Sequence, residues 1–370
     1  MQGENFVTVA AANLARIPFW LKGSQRFTEP SKVLILKPCC ISQVMMATPL
    51  LTALSETYPE ARFDWAVDQW SRAAVSGNPR ITRLVDTGSV FRRERTIRAV
   101  SQLIAELKDR DYDTCFVPSR SSLACYIVWR AGIRQRIGLS DRGRGFAYTM
   151  PVSVPNEVTN QAVINLQLAK AVEIEIDAGQ EFYPSDQARS AITELMVDEV
   201  GWHGEQPLVI IHPGGGENPL IADSDKRWPL ERFALFANRL SYEGGAKIVL
   251  ISSEREKKLV SDIIGLMSAR VVNLAGRLDI DQIGALAEVA DLYVGNDAGP
   301  THVAAAVGCK TLVIFGPTDP LLTAPYATKG KVTVVAPKEG LEPFDWEGGP
   351  TVEGAVAAAE KMLSNQRSTH

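Results

Sequence analysis

Histidine and cysteine are scarce in this chain, and the few present are poorly placed for metal chemistry. His203, His212, His302 and His370 are too scattered to suggest a zinc site. Cys39, Cys40, Cys115, Cys125 and Cys309 are odd in number and show neither metal-ligand nor redox-motif spacing. No protein-bound metal is therefore expected, and reduced, cytosolic thiols are the expected state.

Long apolar runs are also missing. No stretch of 18 apolar residues occurs, so no membrane span is expected. Residues 5–15 lack the basic start and cleavage pattern of a signal peptide. They read as an amphipathic helix stopped before Pro18, one that packs on its own domain or a neighbour, or lies on a membrane surface. The net charge of −4 is small but uneven. Residues 1–190 hold 23 Lys and Arg against 19 Asp and Glu, and residues 191–370 hold 16 against 24, so the first half suits an anionic partner better. Between residues 80 and 144 the balance is 14 against 7, with Arg92, Arg93, Arg95, Arg98, Arg130 and Arg134 among the cations. Solvated helix faces account for most of them, and a minority are candidates for an anionic acceptor. No nucleic-acid motif accompanies them, and nucleic acid is not an expected partner.

What is present is a long α/β alternation. The 370 residues suit two domains, 31–190 and 191–345, after an N-terminal segment 1–30 and before a C-terminal stretch 346–370. The first half reads as strands at 32–37, 62–67, 83–85, 114–117 and 136–139, with helices at 44–58 and near 68–77, 93–109 and 121–132. Residues 160–200 read as helical. The second half repeats the alternation, with strands at 208–212, 247–251, 271–274, 292–294, 311–315 and 331–335. Two doubly wound parallel sheets follow, and such sheets bind ligands at the carboxyl ends of their strands.

One stretch stands out. Leu292-Tyr293-Val294 reads as a buried strand, Asn296 to Pro300 as a turn of small residues, and Thr301 onward as a helix. Ala298 and Gly299 permit close backbone approach, and the helix N-terminus adds roughly half a unit of positive charge, which suits a phosphate or diphosphate. Asp297 and His302 put a carboxylate and an imidazole beside that anion. A carboxylate there is costly unless it binds sugar hydroxyls or fixes the loop.

Three segments of the second half resemble one family. They are His212-Pro213-Gly214-Gly215-Gly216 with Lys226-Arg227-Trp228-Pro229 after it, the turn Gly295 to His302, and Phe315-Gly316-Pro317-Thr318-Asp319-Pro320. Together they resemble the bacterial lipopolysaccharide heptosyltransferases of glycosyltransferase family 9, over about residues 32–330. The resemblance implies a GT-B architecture: two facing Rossmann-like domains about a central cleft, the first for the acceptor and the second for a nucleotide diphosphate sugar. It further implies an inverting, metal-independent transfer of heptose or a related sugar, with the ADP-linked donor as substrate and no cofactor. The acceptor would be a cell-envelope glycolipid or saccharide, the setting cytoplasmic with a peripheral membrane contact, and the C-terminal helix would return toward the first domain.

By the same resemblance Lys226 binds the donor phosphates, where a cation stabilises charge on a leaving diphosphate. Glu254, Asp297, Ala298, Gly299, Pro300 and His302 are carried over as donor contacts, with Gly214 and Gly215 for close backbone approach and Thr318 in the last loop. Ser42, Gln43 and Asp68 fall on the acceptor side. One position departs from the pattern. The family's first β-loop-α turn ends in Gly-Asp, whose Asp is taken as the general base, and here the pair is Ser42-Gln43. An amide orients an acceptor but accepts no proton at neutral pH, and loss of a base typically costs about 10² to 10⁴ in rate. Asp68, Glu217, Asp223 and Asp225 are the available substitutes. A binding protein that holds a nucleotide sugar without turnover is the alternative, and a two-domain nucleotide-sugar epimerase a third reading.

Overall fold

The computed structural model describes residues 26–215, 224–327, 331–337 and 344–364. The expected N-terminal amphipathic helix lies outside the described residues.

The chain divides into two compact units between Ala178 and Gly179. In the first, β1 (Lys32–Leu36), β2 (Arg62–Val67), β3 (Arg83–Asp86), β4 (Thr114–Val117), β5 (Gln135–Leu139) and β6 (Met150–Val152) form one parallel sheet in the order β3-β2-β1-β4-β5-β6. The strand order reverses direction between β1 and β4, which places a ligand crevice at their carboxyl ends. Strand β1 is fully buried from Val33 to Leu36, as a central parallel strand covered on both faces requires.

The helix expected over 44–58 is two pieces, Ile41–Met45 and Thr48–Thr57. Pro49 has no N–H to offer the Met45 carbonyl four residues back, and the Thr48 hydroxyl donates to that carbonyl instead at 2.8 Å. Asn165, on the helix Gln161–Lys170, donates to the Met46 carbonyl at 2.8 Å. The helix expected near 68–77 is only the 3₁₀ turn Arg72–Ala74. The Asp68 carboxylate accepts from the Ser71 N–H at 2.8 Å as a helix N-cap would. The turns that follow close three residues back, Ala74 N–H to the Ser71 carbonyl at 3.0 Å and Val75 N–H to the Arg72 carbonyl at 3.1 Å, and Pro79 brings no N–H to continue them.

The second unit repeats the topology. Its strands are β7 (Leu208–His212), β8 (Lys247–Leu250), β9 (Val271–Asn273), β10 (Leu292–Asn296), β11 (Thr311–Ile314) and β12 (Val332–Val335), in the order β12-β11-β10-β7-β8-β9. The switch point lies between β7 and β10. The expected boundary at 190 falls inside the helix Asp186–Glu194, which packs with the second unit. Ser185 caps that helix and also bonds Asp281 through its N–H at 3.0 Å and its hydroxyl at 2.6 Å, while Arg189 grips Glu288 at 2.7 and 2.9 Å. The C-terminal helix expected to return toward the first domain is Val352–Ser364. Its buried stripe of Val352, Ala355, Val356, Ala359 and Met362 joins the core of the second sheet with Phe233, Phe236, Leu312 and Ile314. Lys310 donates to the Met362 carbonyl at 2.7 Å, closing the last turn onto the start of β11.

Candidate active site

The switch point of the second sheet gathers the three segments singled out in the sequence. Strands β7 and β10 pair in parallel with His212 opposite Gly295, so the next residue, Asn296, stands at the crevice. Asn296 is fully buried and uses its whole amide. Its carbonyl oxygen accepts from the Trp228 N–H at 3.1 Å, and its NH₂ donates to the carbonyls of Pro213 and Gly214 at 2.9 and 3.0 Å. One side chain thus ties the glycine-rich turn and the Lys-Arg-Trp-Pro segment to the strand end. Trp228 anchors that segment from the other side. It packs edge-on against Phe233 and Phe236, with centroids 5.1 and 6.1 Å away, and its indole N–H donates to the Pro350 carbonyl at 2.9 Å. Lys226, two residues earlier, is brought to the strand end by this anchor.

Asp297 follows and is buried, with Lys226 Nζ at 3.4 Å and the Thr323 hydroxyl donating at 3.1 Å to the same Oδ2. His302 Nε2 stands 3.8 Å from Oδ1. Burial alone would raise this carboxyl. The His302 ring, the Lys226 ammonium and the Thr318 hydroxyl more than offset it and hold it at about 2. Asp297 therefore stays ionised and fixes the loop. The His302 ring is itself oriented: the Gln180 amide lies 3.1 Å from Nδ1, and the Gln180 N–H donates to the Tyr326 carbonyl at 2.8 Å. With the amide nitrogen donating to Nδ1, the neutral ring carries its proton on Nε2, facing the Asp297 carboxylate. The opposite amide orientation would aim an Nε2 lone pair at that carboxylate and is disfavoured. The helix Gly299–Ala306 begins here with Ala298 at its N-cap. No side chain caps it, and Pro300 brings no N–H. The start of this helix therefore presents backbone dipole that the helix itself does not neutralise.

Gly214 and Gly215 serve a purpose the sequence did not suggest. A Cβ on Gly214 would lie 2.3 Å from Glu256 Oε2, so the glycine makes room for a buried carboxylate. Glu256 accepts from the Gly215 N–H at 3.1 Å, Arg227 at 3.0 Å and the Ser253 hydroxyl at 3.0 Å. His212, buried beside this network, has its imidazole pKa lowered by burial, with the Glu256 carboxylate pulling it back up and Arg227 pushing it further down. Glu254, the expected acid, opens the turn Glu254–Glu256, is 71% exposed and pairs with Lys257 at 2.7 Å. The structure thus brings together Lys226, Asp297, Thr318 and His302, and sets Glu254 in a separate surface pair. Sequence reasoning missed Asn296, Gln180 and Glu256. Asn296 alone carried a signal, as a polar residue closing an apolar strand.

On the first unit the crevice between β1 and β4 is bridged by Lys37, whose ammonium donates to the Pro118 carbonyl at 2.9 Å and to the Gln43 amide oxygen at 3.3 Å. Burial lowers that ammonium to about 8. Gln43 and Ser42 lie on the first helical turn after β1, as expected. Asp68, buried at the end of β2, is held by the Ser71 N–H and by Arg92 at 3.7 Å. Asp225 is exposed in the turn Ser224–Lys226, while Glu217 and Asp223 lie outside the described residues.

The sequence profile of glycosyltransferase family 9 (heptosyltransferase) matches residues 100–343. The chain belongs to glycosyltransferase family 9. Lipopolysaccharide heptosyltransferase 2 of Escherichia coli K12 is 26% identical to this family 9 chain over 315 residues, covering 81% of the chain and 87% of that protein. Lipopolysaccharide core heptosyltransferase OpsX of Haemophilus influenzae is 24% identical, covering 88% and 90%. The crystal structure of the glycosyl transferase family 9 from Veillonella parvula superimposes with a TM-score of 0.82 at 18% identity, covering 93% of this chain and all of that one. The E. coli ADP-heptose lps heptosyltransferase II gives 0.71 at 22% identity, with 91% and 99% covered. WaaC of E. coli, solved with ADP-2-deoxy-2-fluoro heptose, gives 0.65 at 16% identity, with 91% and 99% covered. The fold of this family 9 protein is accordingly the two-domain GT-B fold. Among the described residues no group of three or more His, Cys, Asp or Glu is arranged to hold a metal ion, and no helix is long and apolar enough to cross a membrane.

Proposed function

We propose that this protein transfers heptose or a closely related sugar from an ADP-linked donor to a cell-envelope saccharide or glycolipid, with inversion and without a metal. The observation that carries the reading is the pairing of Lys226 with the ionised Asp297 at the uncapped start of the helix Gly299–Ala306. A diphosphate seated there meets an ammonium and a helix N-terminus. Both strengthen their interaction as negative charge grows on the departing phosphate oxygen when the bond to the anomeric carbon breaks. Asp297 keeps Lys226 in place, and its remaining acceptor capacity suits sugar hydroxyls. Ala298, Gly299, Pro300, His302 and Thr318 line the same strand end and complete the donor assignment. Names among the relatives, all lipopolysaccharide or lipooligosaccharide heptosyltransferases, support heptose and the lipopolysaccharide acceptor.

On the acceptor side Ser42 and Gln43 orient the attacking hydroxyl, and a group other than Gln43 takes its proton. A binding protein without turnover is the second reading, and the neutral Gln43 amide favours it. The test is calorimetric titration with ADP, UDP and GDP, followed by turnover of the ADP-sugar with and without saccharide acceptor. ADP selectivity with acceptor-dependent release supports transfer; binding without turnover favours the second reading. Binding of none of the three would overturn both. Lys226→Ala is expected to raise the donor KM and to lower kcat by about 10².

A further inference from the structure

Two thiols lie side by side on the turn between β1 and the helix Ile41–Met45, where nothing in the proposed transfer uses them. Cys39 Sγ donates to Cys40 Sγ at 2.7 Å, and both residues are partly accessible. Cys115, Cys125 and Cys309 are buried. Lys37, two residues before the pair, is a buried cation whose two hydrogen bonds go to neutral oxygens, the Pro118 carbonyl and the Gln43 amide. A thiolate on either cysteine would stabilise that ammonium. We propose that Cys39 and Cys40 are a reactive dithiol that closes to a disulfide by exchange with a small-molecule disulfide of the glutathione class.

Cys40 attacks first, because contact with Cys40 and burial both push the Cys39 thiol pKa up and hold its proton. The Cys40 thiolate attacks one sulfur of oxidised glutathione. The S–S bond breaks, one glutathione thiolate leaves and takes up the Cys40 proton, and a mixed disulfide remains. Cys39 then loses its proton and attacks Cys40 Sγ, forming the Cys39–Cys40 bond and expelling the second glutathione, which takes that proton. Two electrons pass from the pair to the oxidant, and two glutathione thiols are released. Adjacency makes the second step intramolecular and fast relative to capture by solvent thiols. Closure alters the turn that carries Ser42 and Gln43. Insofar as the proposed function holds, it is expected to lower acceptor-dependent transfer and leave ADP binding unchanged.

The experiment needs no sugar substrate, so its failure is separable from failure of the functional reading. The full chain is incubated with oxidised glutathione, quenched by alkylation and mapped by peptide mass spectrometry without reduction. The expected product is an internal disulfide in the peptide that holds both cysteines, with Cys115, Cys125 and Cys309 alkylated only after unfolding. Cys39→Ser is expected to stop at a stable glutathione adduct on Cys40, and Cys40→Ser to react at least tenfold more slowly. Lys37→Met is expected to slow the wild-type reaction about threefold, since loss of the cation removes thiolate while the more basic sulfur that remains is more nucleophilic. Free thiols at both positions, or a wild-type adduct that never closes, would overturn the proposal. An unchanged rate in a folded Lys37→Met chain would remove Lys37 from it.

Discussion

Replacing Asp297 by asparagine isolates the charge at the centre of the site while keeping its shape. Asp297 is buried, and its carboxyl is held at about 2 against an ordinary value of 3.8. That interval corresponds to about 2 kcal/mol of folded-state stabilisation of the ionised form. The folded value is the lower one, so the contribution is fully present above the unfolded value. It is lost as pH falls from about 4 toward 2. In a unit of this size 1 kcal/mol moves the melting temperature by roughly 2–4 °C, so Asp297→Asn is expected to melt about 4–8 °C lower at neutral pH. The assay is paired thermal unfolding of wild type and variant at steps from neutral pH to about pH 2.5, since the difference at each pH cancels groups common to both. The gap should close below about pH 4 and resist added salt, because a buried pair is weakly screened. A gap of unchanged size at about pH 2.5 would show that the carboxylate charge is not what Lys226 and His302 respond to, and the reasoning would fail.

The other expectations concern positions around this charge. Asn296→Ala strips partners from the Trp228 N–H and from two buried carbonyls and should cost about 3 kcal/mol, with ADP binding weakened as the turns part; unaltered urea unfolding would contradict its bridging role. Gln43→Asp should raise transfer, by up to about 10² to 10⁴ where the acceptor binds as in the family, and a fall in rate would show the acceptor hydroxyl to lie elsewhere. The same change gives Lys37 an anionic partner, so its ammonium should titrate above its present value of about 8 when followed by NMR. Gln180→Leu should release the His302 tautomer, visible as a change in its ring nitrogen shifts, and leave the fold intact; an unchanged tautomer would assign that control to Asp297 alone.

The sequence by itself settled what depends on local pattern. Apolar runs such as Val33 to Leu36 and Leu208 to Ile211 can only be central parallel strands when every residue must be covered, and their alternation with helices dictated two doubly wound sheets. The turn at Asp297 was legible because a strand end, small residues and a helix start occur within a dozen positions. The tertiary structure alone decided what depends on distance along the chain. Gln180 meets His302 across 122 residues, and Asn296 meets Trp228 across 68. Gly214 looked like an invitation to a ligand until Glu256, 42 positions away, filled the space beside it. Propensity pointed to helix over residues 68–77, and the backbone there closes instead into successive three-residue turns that stop at Pro79, which has no N–H to extend them. A side chain's burial, charge state and partner are set by whichever segment packs over it, and one-dimensional pattern holds no record of that segment.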